Sequence, residues 1–313
     1  RSSLKAPGMW TTAPSAIAVW LHSWSIGRPP SIGSTSVSFW VKRQGEVLQW
    51  RDVSLYTNPF SEVISEAAFD GTVSETDFSS TSPEFGTDGY YAKCWIREES
   101  GIKLYKSGSA FLEIEPLSEF LASQLAEGIC RQAVLYDLDY YHGKLISKCP
   151  LFTSETVGLA KASAVFHGAE HTIPDLLQYF RGIGSEDAFR RMCILDAIIL
   201  NPDRHYGNFG VLFDTATMEV LQMAPVFDNN KSLLPELDND QLAAPDWYIA
   251  RCRPRIGRDF ILTARGLLTD EIRADLERMR DFTFRQHPKI QAEQMRLDAL
   301  SGIVRERIRQ ILA

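Results

Sequence analysis

Asp203 and Asn208, five residues apart in the run Asn201-Pro-Asp-Arg-His-Tyr-Gly-Asn208, are the residues whose types and spacing best suit chemistry. A carboxylate can orient an attacking hydroxyl and accept its proton, and an amide oxygen placed just beyond it can hold magnesium against phosphate oxygens. Taken alone, the pair also suits an ordinary turn, where Asn and Asp are common. Asp228, in Ala224-Pro-Val-Phe-Asp228, adds the missing context. Between Asn208 and Asp228 lie two strand-like runs, Phe209-Gly-Val-Leu-Phe213 and Met218-Glu-Val-Leu-Gln222, around the turn Asp214-Thr-Ala-Thr217. A hairpin of that length returns the chain to where it began. The pattern therefore predicts Asn208 and Asp228 at the same end of one hairpin, as two hard oxygen ligands for magnesium. His205, in the same loop, suits either acid–base work or a packing role.

Phosphoryl transfer also needs a cation on the phosphates, and Lys93, Lys103 and Lys106 are near enough to be considered. Side chains of a strand alternate between its faces. Lys106 shares a face with Ile102 and Leu104, an apolar face that should look into the fold, whereas Lys103 goes with Tyr105. Lys106 is the choice, against the commoner fate of a lysine at an exposed strand end. Glu119, early in the next helix, either pairs with Lys106 or is an exposed helix glutamate. Gly86-Thr-Asp-Gly89 could fold over phosphates, since glycines allow close backbone approach and leave N–H groups for an anion. Gly86, Thr87 and Gly89 match neither the P-loop nor the G-x-G-x-x-G pattern, and alone they would read as a turn.

The elements that must position these residues follow from pattern. The first ~80 residues are rich in Ser, Thr, Pro and Gly. They suggest short strands such as Val37-Ser-Phe-Trp-Val41 and one helix near Ile17–Trp24. A hairpin is expected from Tyr90–Ile96 and Ile102–Lys106, turned at Glu98-Glu-Ser-Gly101. A helix follows over Pro116–Glu127, with proline in its first turn and Gly128 as its stop. Ala133–Tyr140 and Lys144–Ser147 read as strands around His142-Gly143. From about residue 150 longer helical patterns take over. One runs from a Ser185 N-cap to Leu200, and amphipathic helices are expected at Thr269–Arg280 and Gln291–Leu312. A strand-rich first half and a helix-rich second half predict two lobes with the site between them.

Composition narrows the function classes. The chain has 313 residues, of which 44% are hydrophobic and 23% charged, the balance of a soluble globular protein. No apolar run approaches the ~20 residues that span a bilayer; Ile194–Leu200 is the nearest and carries an aspartate. A net charge of −7 argues against direct nucleic-acid binding, although Arg251-Cys-Arg-Pro-Arg255 is a local basic run, read as a solvated loop. Five scattered cysteines fit neither a disulfide framework nor a zinc site and suggest a reducing cytoplasm. The opening Arg1-Ser-Ser-Leu-Lys has no methionine and no signal-like apolar segment, which reads as a trimmed or partial chain.

The run Asp203-Arg-His-Tyr-Gly-Asn208 followed by Pro225-Val-Phe-Asp228 resembles the C-lobe signature of HipA-like serine/threonine kinases. Their fold is similar to that of phosphoinositide kinases, which carry a D-R-H-x-x-N loop. Ser82-Pro-Glu-Phe-Gly-Thr-Asp-Gly89, Lys93-Cys-Trp95, Tyr105-Lys-Ser-Gly108 and Glu115-Pro-Leu-Ser-Glu119 fall in the order the family uses. The resemblance covers about residues 80–235, extends loosely to the C-terminal helices, and leaves the first ~75 residues poorly matched.

It implies an α+β, bilobal protein kinase-like fold, with an N-lobe over residues 1–150 and a helical C-lobe over 151–313. Asp203 would be catalytic, Asn208 and Asp228 would bind magnesium, and Lys106 would contact ATP. Ser79–Gly89 would be the phosphate-covering loop, with Ser79, Ser80, Thr81 and Ser82 as candidates for inhibitory autophosphorylation. A protein substrate is implied, and an antitoxin or other regulatory partner is possible in this family. Asn229-Asn-Lys231 stands where eukaryotic kinases have Phe-Gly, so their activation-loop control is not implied. Two other readings keep part of this picture: a lipid or small-molecule kinase of the same fold, and a kinase-like binding module acting through a partner.

Overall fold

The structure, a computed structural model, describes residues 47, 49–52, 54–60, 62–70, 92–109, 113–166 and 171–313. The expected helix near Ile17–Trp24, the Val37–Val41 run and the whole Ser79–Gly89 loop lie outside the described residues. In chain order, a first helix α1 (Glu62–Asp70) precedes the hairpin β1 (Lys93–Glu98) and β2 (Gly101–Ser107). Helix α2 (Glu115–Ile129) leads to β3 (Asp137–Tyr141) and β4 (Lys144–Pro150). These strands form one antiparallel sheet in the order β1-β2-β4-β3, and α2 packs against β2, β3 and β4.

The helix-rich half follows with β5 (Val157–Lys161), α3 (Ala162–Val165), α4 (Ile173–Gly182) and α5 (Glu186–Ile199). Next come β6 (Gly210–Asp214), β7 (Val220–Met223), α6 (Asn239–Leu242), α7 (Asp246–Ile249), α8 (Phe260–Leu267), α9 (Asp270–Arg278) and α10 (Gln294–Leu312). The second sheet is antiparallel in the order β5-β6-β7. Its core is α5, whose Phe189, Met192, Ile194, Leu195, Ile198 and Ile199 are all fully buried. Helices α2, α4, α8 and α10 pack around it. A helix buried on nearly every side along its last three turns is stable only when surrounded in this way.

Some expectations shift by physical detail. Helix α2 does not stop at Gly128 but runs through it to Ile129. The missing side chain makes room for Met279, whose Sδ would lie 3.0 Å from an added Cβ, so this glycine serves packing instead of a C-cap. Ser185 sits at the N-cap of α5, yet its side chain makes no cap bond; its hydroxyl instead accepts the Met223 amide at 3.0 Å. The run from Ala133 becomes a strand only at Asp137, because Ala133 makes a parallel bridge to Val226. Strand β5 was not expected, its Val157-Gly-Leu-Ala-Lys161 sequence being too short to stand out from the surrounding loop.

Candidate active site

The last turn of α5 starts the site. Leu200 adopts a left-handed conformation, φ 53°, which ends the helix and turns the chain into Asn201–Asn208. Such a backbone is costly for leucine and persists only where the surroundings enforce it. Here the Leu233 amide returns to the Ile199 carbonyl at 2.7 Å. The loop then holds itself. The Asn201 side chain accepts the Asp203 amide at 3.0 Å. The Asp203 carbonyl accepts both the His205 amide at 2.7 Å and Asn208 Nδ2 at 3.0 Å. The half-buried Asp203 carboxylate accepts no hydrogen bond among the described residues, so it is left available. His205 is exposed, and its Nδ1 accepts the Gly207 amide at 2.9 Å. A Cβ at Gly207 would lie 2.7 Å from the His205 ring, so the two residues form one tight turn. That contact gives His205 a packing task within the loop.

The hairpin β6–β7 carries the chain from Asn208 back to Asp228 as its sequence suggests, with Val211 opposite Met223. The Asp214 carboxylate caps the turn by accepting the amides of Ala216 and Thr217 at 2.9 and 2.8 Å. Asp228 is also left-handed, φ 58°, and its amide donates to Tyr136 Oη at 3.0 Å. That tyrosine comes from the segment before β3, so both halves of the fold fix the aspartate.

Lys106 completes the centre. Only 6% exposed, it reaches Glu119 Oε1 at 2.5 Å and Asp228 Oδ1 at 2.7 Å. Its ammonium also lies 5.7 Å from the Tyr136 ring centroid, within cation–π range. Glu119, 1% exposed, accepts in addition from the Ser147 hydroxyl. The exposed-glutamate reading of this residue does not hold in the structure. Lys103 lies on the other face and pairs with Glu98 at 2.7 Å. Burial opposes the charge on Lys106, but Asp228 and Glu119 outweigh it and hold its pKa above the ordinary lysine value. Burial likewise works to raise Asp228, and the neighbouring ammonium reverses this, leaving its pKa below the usual aspartate value. Glu119 goes the other way: its deeper burial, helped by the charge of Asp228, raises it against the pull of Lys106.

Two oxygens remain uncommitted. Asn208 donates with Nδ2 and Asp228 accepts with Oδ1, which leaves Asn208 Oδ1 and Asp228 Oδ2 without a donor among the described residues. Two hard oxygen donors at one end of a hairpin fit a magnesium ion that takes its remaining ligands from phosphate and water. Gly86, Thr87, Gly89, Ser79, Ser80, Thr81 and Ser82 lie outside the described residues.

The sequence reading missed the residue that ties this centre together. Arg204, 1% exposed, donates through Nε and Nη2 to Asp196 on α5 at 3.0 and 2.9 Å. It also donates to the carbonyls of Asn208 at 2.8 Å and Phe227 at 2.5 Å, and to Asn229 Oδ1 at 2.5 Å. One guanidinium thus fixes the loop to the residues on both sides of Asp228. Its signal was the single aspartate within the apolar run Ile194–Leu200, because a buried carboxylate requires a partner. Tyr136 was missed as well, and nothing in its local pattern marks it. All five cysteines are free thiols. Burial pushes Cys130 and Cys149 up to about 12, so neither is a thiolate nucleophile at neutral pH.

The ion triad makes a direct prediction. Lys106→Met leaves the buried Glu119 and the partly exposed Asp228 without their cation, so the pKa of Glu119 above all should rise further above the unfolded-state range near ~4. A carboxyl raised on folding contributes stability at low pH that is lost as pH climbs through its folded value. The urea-midpoint gap between wild type and Lys106→Met should therefore widen from pH 5 to pH 8. A gap independent of pH would remove the charge coupling.

The chain is similar in structure to the Helicobacter pylori proinflammatory kinase CtkA. The TM-score is 0.54 at 17% identity, covering 72% of this chain and 90% of that one. It also matches a chain of the Shewanella oneidensis toxin–antitoxin complex of HipA, HipB and operator DNA. There the TM-score is 0.43 at 10% identity, over 72% of this chain and 64% of that one. No protein-family model and no curated protein sequence matches. At these identities the likeness is one of fold, and CtkA carries it: the chain has a bilobal, protein kinase-like α+β fold. That fold agrees with the resemblance to HipA-like kinases seen in the runs Asp203–Asn208 and Pro225–Asp228.

Proposed function

We propose that this chain is an ATP- and magnesium-dependent serine/threonine protein kinase of HipA-like type. The observation that carries the proposal is the buried Lys106, held between Glu119 and Asp228 at 2.5 and 2.7 Å. A fully paired lysine of this kind is a fixed positive charge, placed where a loop ending in Asn208 and a hairpin ending in Asp228 converge. ATP would supply the phosphoryl group, and magnesium would neutralise charge as that group transfers.

The chain's own residues would then do three things. Lys106 steadies phosphate oxygens, with Glu119 fixing its direction. Asn208 Oδ1 and Asp228 hold the metal, the aspartate exchanging part of its bond to Lys106 for that role. Asp203 orients the acceptor hydroxyl and takes its proton. In this proposal residues up to about 150 form the N-lobe and the rest the C-lobe. A cytoplasmic setting and a regulatory partner of antitoxin type belong to the same proposal, the first supported by unpaired cysteines and the second by the sequence resemblance.

The test is incubation with labelled ATP and magnesium, wild type beside Asp228→Asn, with mapping of any phosphosite. Transfer is expected in the wild type and loss by about 10²-fold or more in the variant, the scale of removing a group that acts on charge in the transition state. An ATP-induced thermal shift with no transfer to self or to any protein would replace the kinase reading with a binding module. Autophosphorylation at Ser79, Ser80, Thr81 or Ser82 is part of the proposal. Each phosphate would bring nearly two negative charges beside those of the nucleotide, so inhibition is the expected sign. Intact mass after incubation with Mg-ATP should show added phosphate; an unchanged mass removes this regulation.

A further inference from the structure

The basic run that composition alone reads as a solvated loop lies against the catalytic loop. Residues 251–258 contain Arg251, Arg253, Arg255 and Arg258 and no acidic residue, in a chain of net charge −7. All four arginines are exposed. None forms an ion pair with a carboxylate among the described residues: Arg251 lies over the Trp247 ring at 5.8 Å, and Arg253 Nη1 donates to the carbonyls of Ala250 and Cys252 at 2.8 and 2.9 Å. Nearby acids have other tasks. Asp259 caps α8 by accepting the Leu262 amide at 2.9 Å, and Glu236 accepts the Tyr248 hydroxyl at 3.1 Å.

The loop is also fixed in place. Ile256 is buried, and Cys252 Sγ lies 3.9 Å from the Leu200 carbonyl at the start of the catalytic turn. Gly257 is left-handed at φ +86°, where any side chain would strike Thr263. Pro254, Arg255 and Ile256 line one crevice together with Asp196, Asn201 and Arg204. Asn201 and Arg204 bracket Asp203 in the chain. Four cations are thus presented on an anchored loop, one of them, Arg255, in a crevice shared with the two residues that flank Pro202-Asp203.

We infer that Arg251–Arg258 is the acceptor-recognition surface, and that it selects a peptide segment with acidic residues flanking the phosphorylated Ser or Thr. The inference rests on the kinase reading and names its substrate class. Guanidinium groups pair bidentately with carboxylates, which gives direction as well as attraction. An extended peptide senses mainly the charges within a Debye length, about 8 Å at physiological salt, and so meets this patch and not the acidic whole. A flat anionic bilayer would have to approach the wider negative surface as well, which disfavours a lipid acceptor.

The experiment measures binding and transfer separately on the full chain. Fluorescein-labelled peptides with one serine, flanked by Asp/Glu, by Ala or by Lys, are titrated by anisotropy with magnesium and a non-hydrolysable ATP analogue. Vesicles with and without a phosphoinositide are titrated in parallel by sedimentation. The acidic peptide is expected to bind about tenfold more tightly than the neutral one, with that margin shrinking as salt rises. Arg253→Glu combined with Arg258→Glu should erase the margin. Arg280→Glu combined with Arg285→Glu, two exposed charges outside this run, should keep it and so control for net charge and folding.

Equal binding of all three peptides, or binding only to phosphoinositide vesicles, overturns the inference. The same peptides with labelled Mg-ATP separate it from the kinase reading. Transfer to all peptides at equal kcat/KM sinks the acidic selectivity and leaves the kinase. Selective binding of the acidic peptide without any transfer supports the surface and sinks the kinase.

Discussion

Asp203→Asn is expected to abolish measurable phosphate transfer while leaving ATP binding intact. The loop around this residue is held by groups that the substitution does not touch. The Asp203 amide donates to Asn201, and its carbonyl accepts from His205 and Asn208. Its side chain accepts no hydrogen bond among the described residues, so an isosteric amide disturbs no scaffold. What disappears is the ability to take a proton, and a positioned general base contributes typically ~10²–10⁴ in rate. The nucleotide would be held elsewhere, by Lys106 and the residues at the hairpin end. Single-turnover transfer and calorimetric ATP titration check the two halves independently. Retention of most activity would remove Asp203 from the proposed role.

The largest effect on stability is expected from Arg204→Met. The guanidinium is buried with Asp196 and satisfies Asn208, Phe227 and Asn229 as well. Removing one member of a buried ion pair strands the other, and the cost is typically ~3–5 kcal/mol. Three further acceptors would lose their donor at the same time, each buried acceptor left unsatisfied adding to the penalty. Urea unfolding at neutral pH should show that loss, together with a higher magnesium concentration needed for any transfer, because the Asn208 and Asp228 segments would no longer share an anchor. Arg204→Lys keeps the charge but not the planar fork, so it should recover only a minor part. A loss below about 1 kcal/mol, within the range of ordinary surface substitutions and mild core changes, would mean that the loop is anchored by other contacts.

Much of the centre was legible because its information is local. A hairpin of two short strands brings Asn208 and Asp228 to one end whatever surrounds it, since strand geometry and turn length fix the return. Strand alternation separated Lys106 from Lys103, and the separation follows from the pleat alone: one lysine is buried, the other pairs with Glu98 on the opposite face. The apolar helix before the loop was equally visible, because a run buried on all sides contains few residues that could face water.

What tertiary structure decided were the contacts between distant segments. The sequence could not say whether Glu119 is exposed or paired, since an early helix glutamate suits both. Packing of α2 on the first sheet settled it by burying the carboxylate against Lys106 and Ser147. Tyr136 and Asn229 join the centre only because the chain folds back across 92 residues to Asp228 and 25 to Arg204. The basic run 251–258 gained a context: its arginines are exposed, as a solvated loop requires, while Pro254, Arg255 and Ile256 share a crevice with Asn201 and Arg204. By itself the sequence determined which chemical groups the hairpin, the strand and the loop would carry. Only the tertiary structure decided which of them became neighbours, because burial and Coulomb attraction depend on distance in space and the sequence records only distance along the chain.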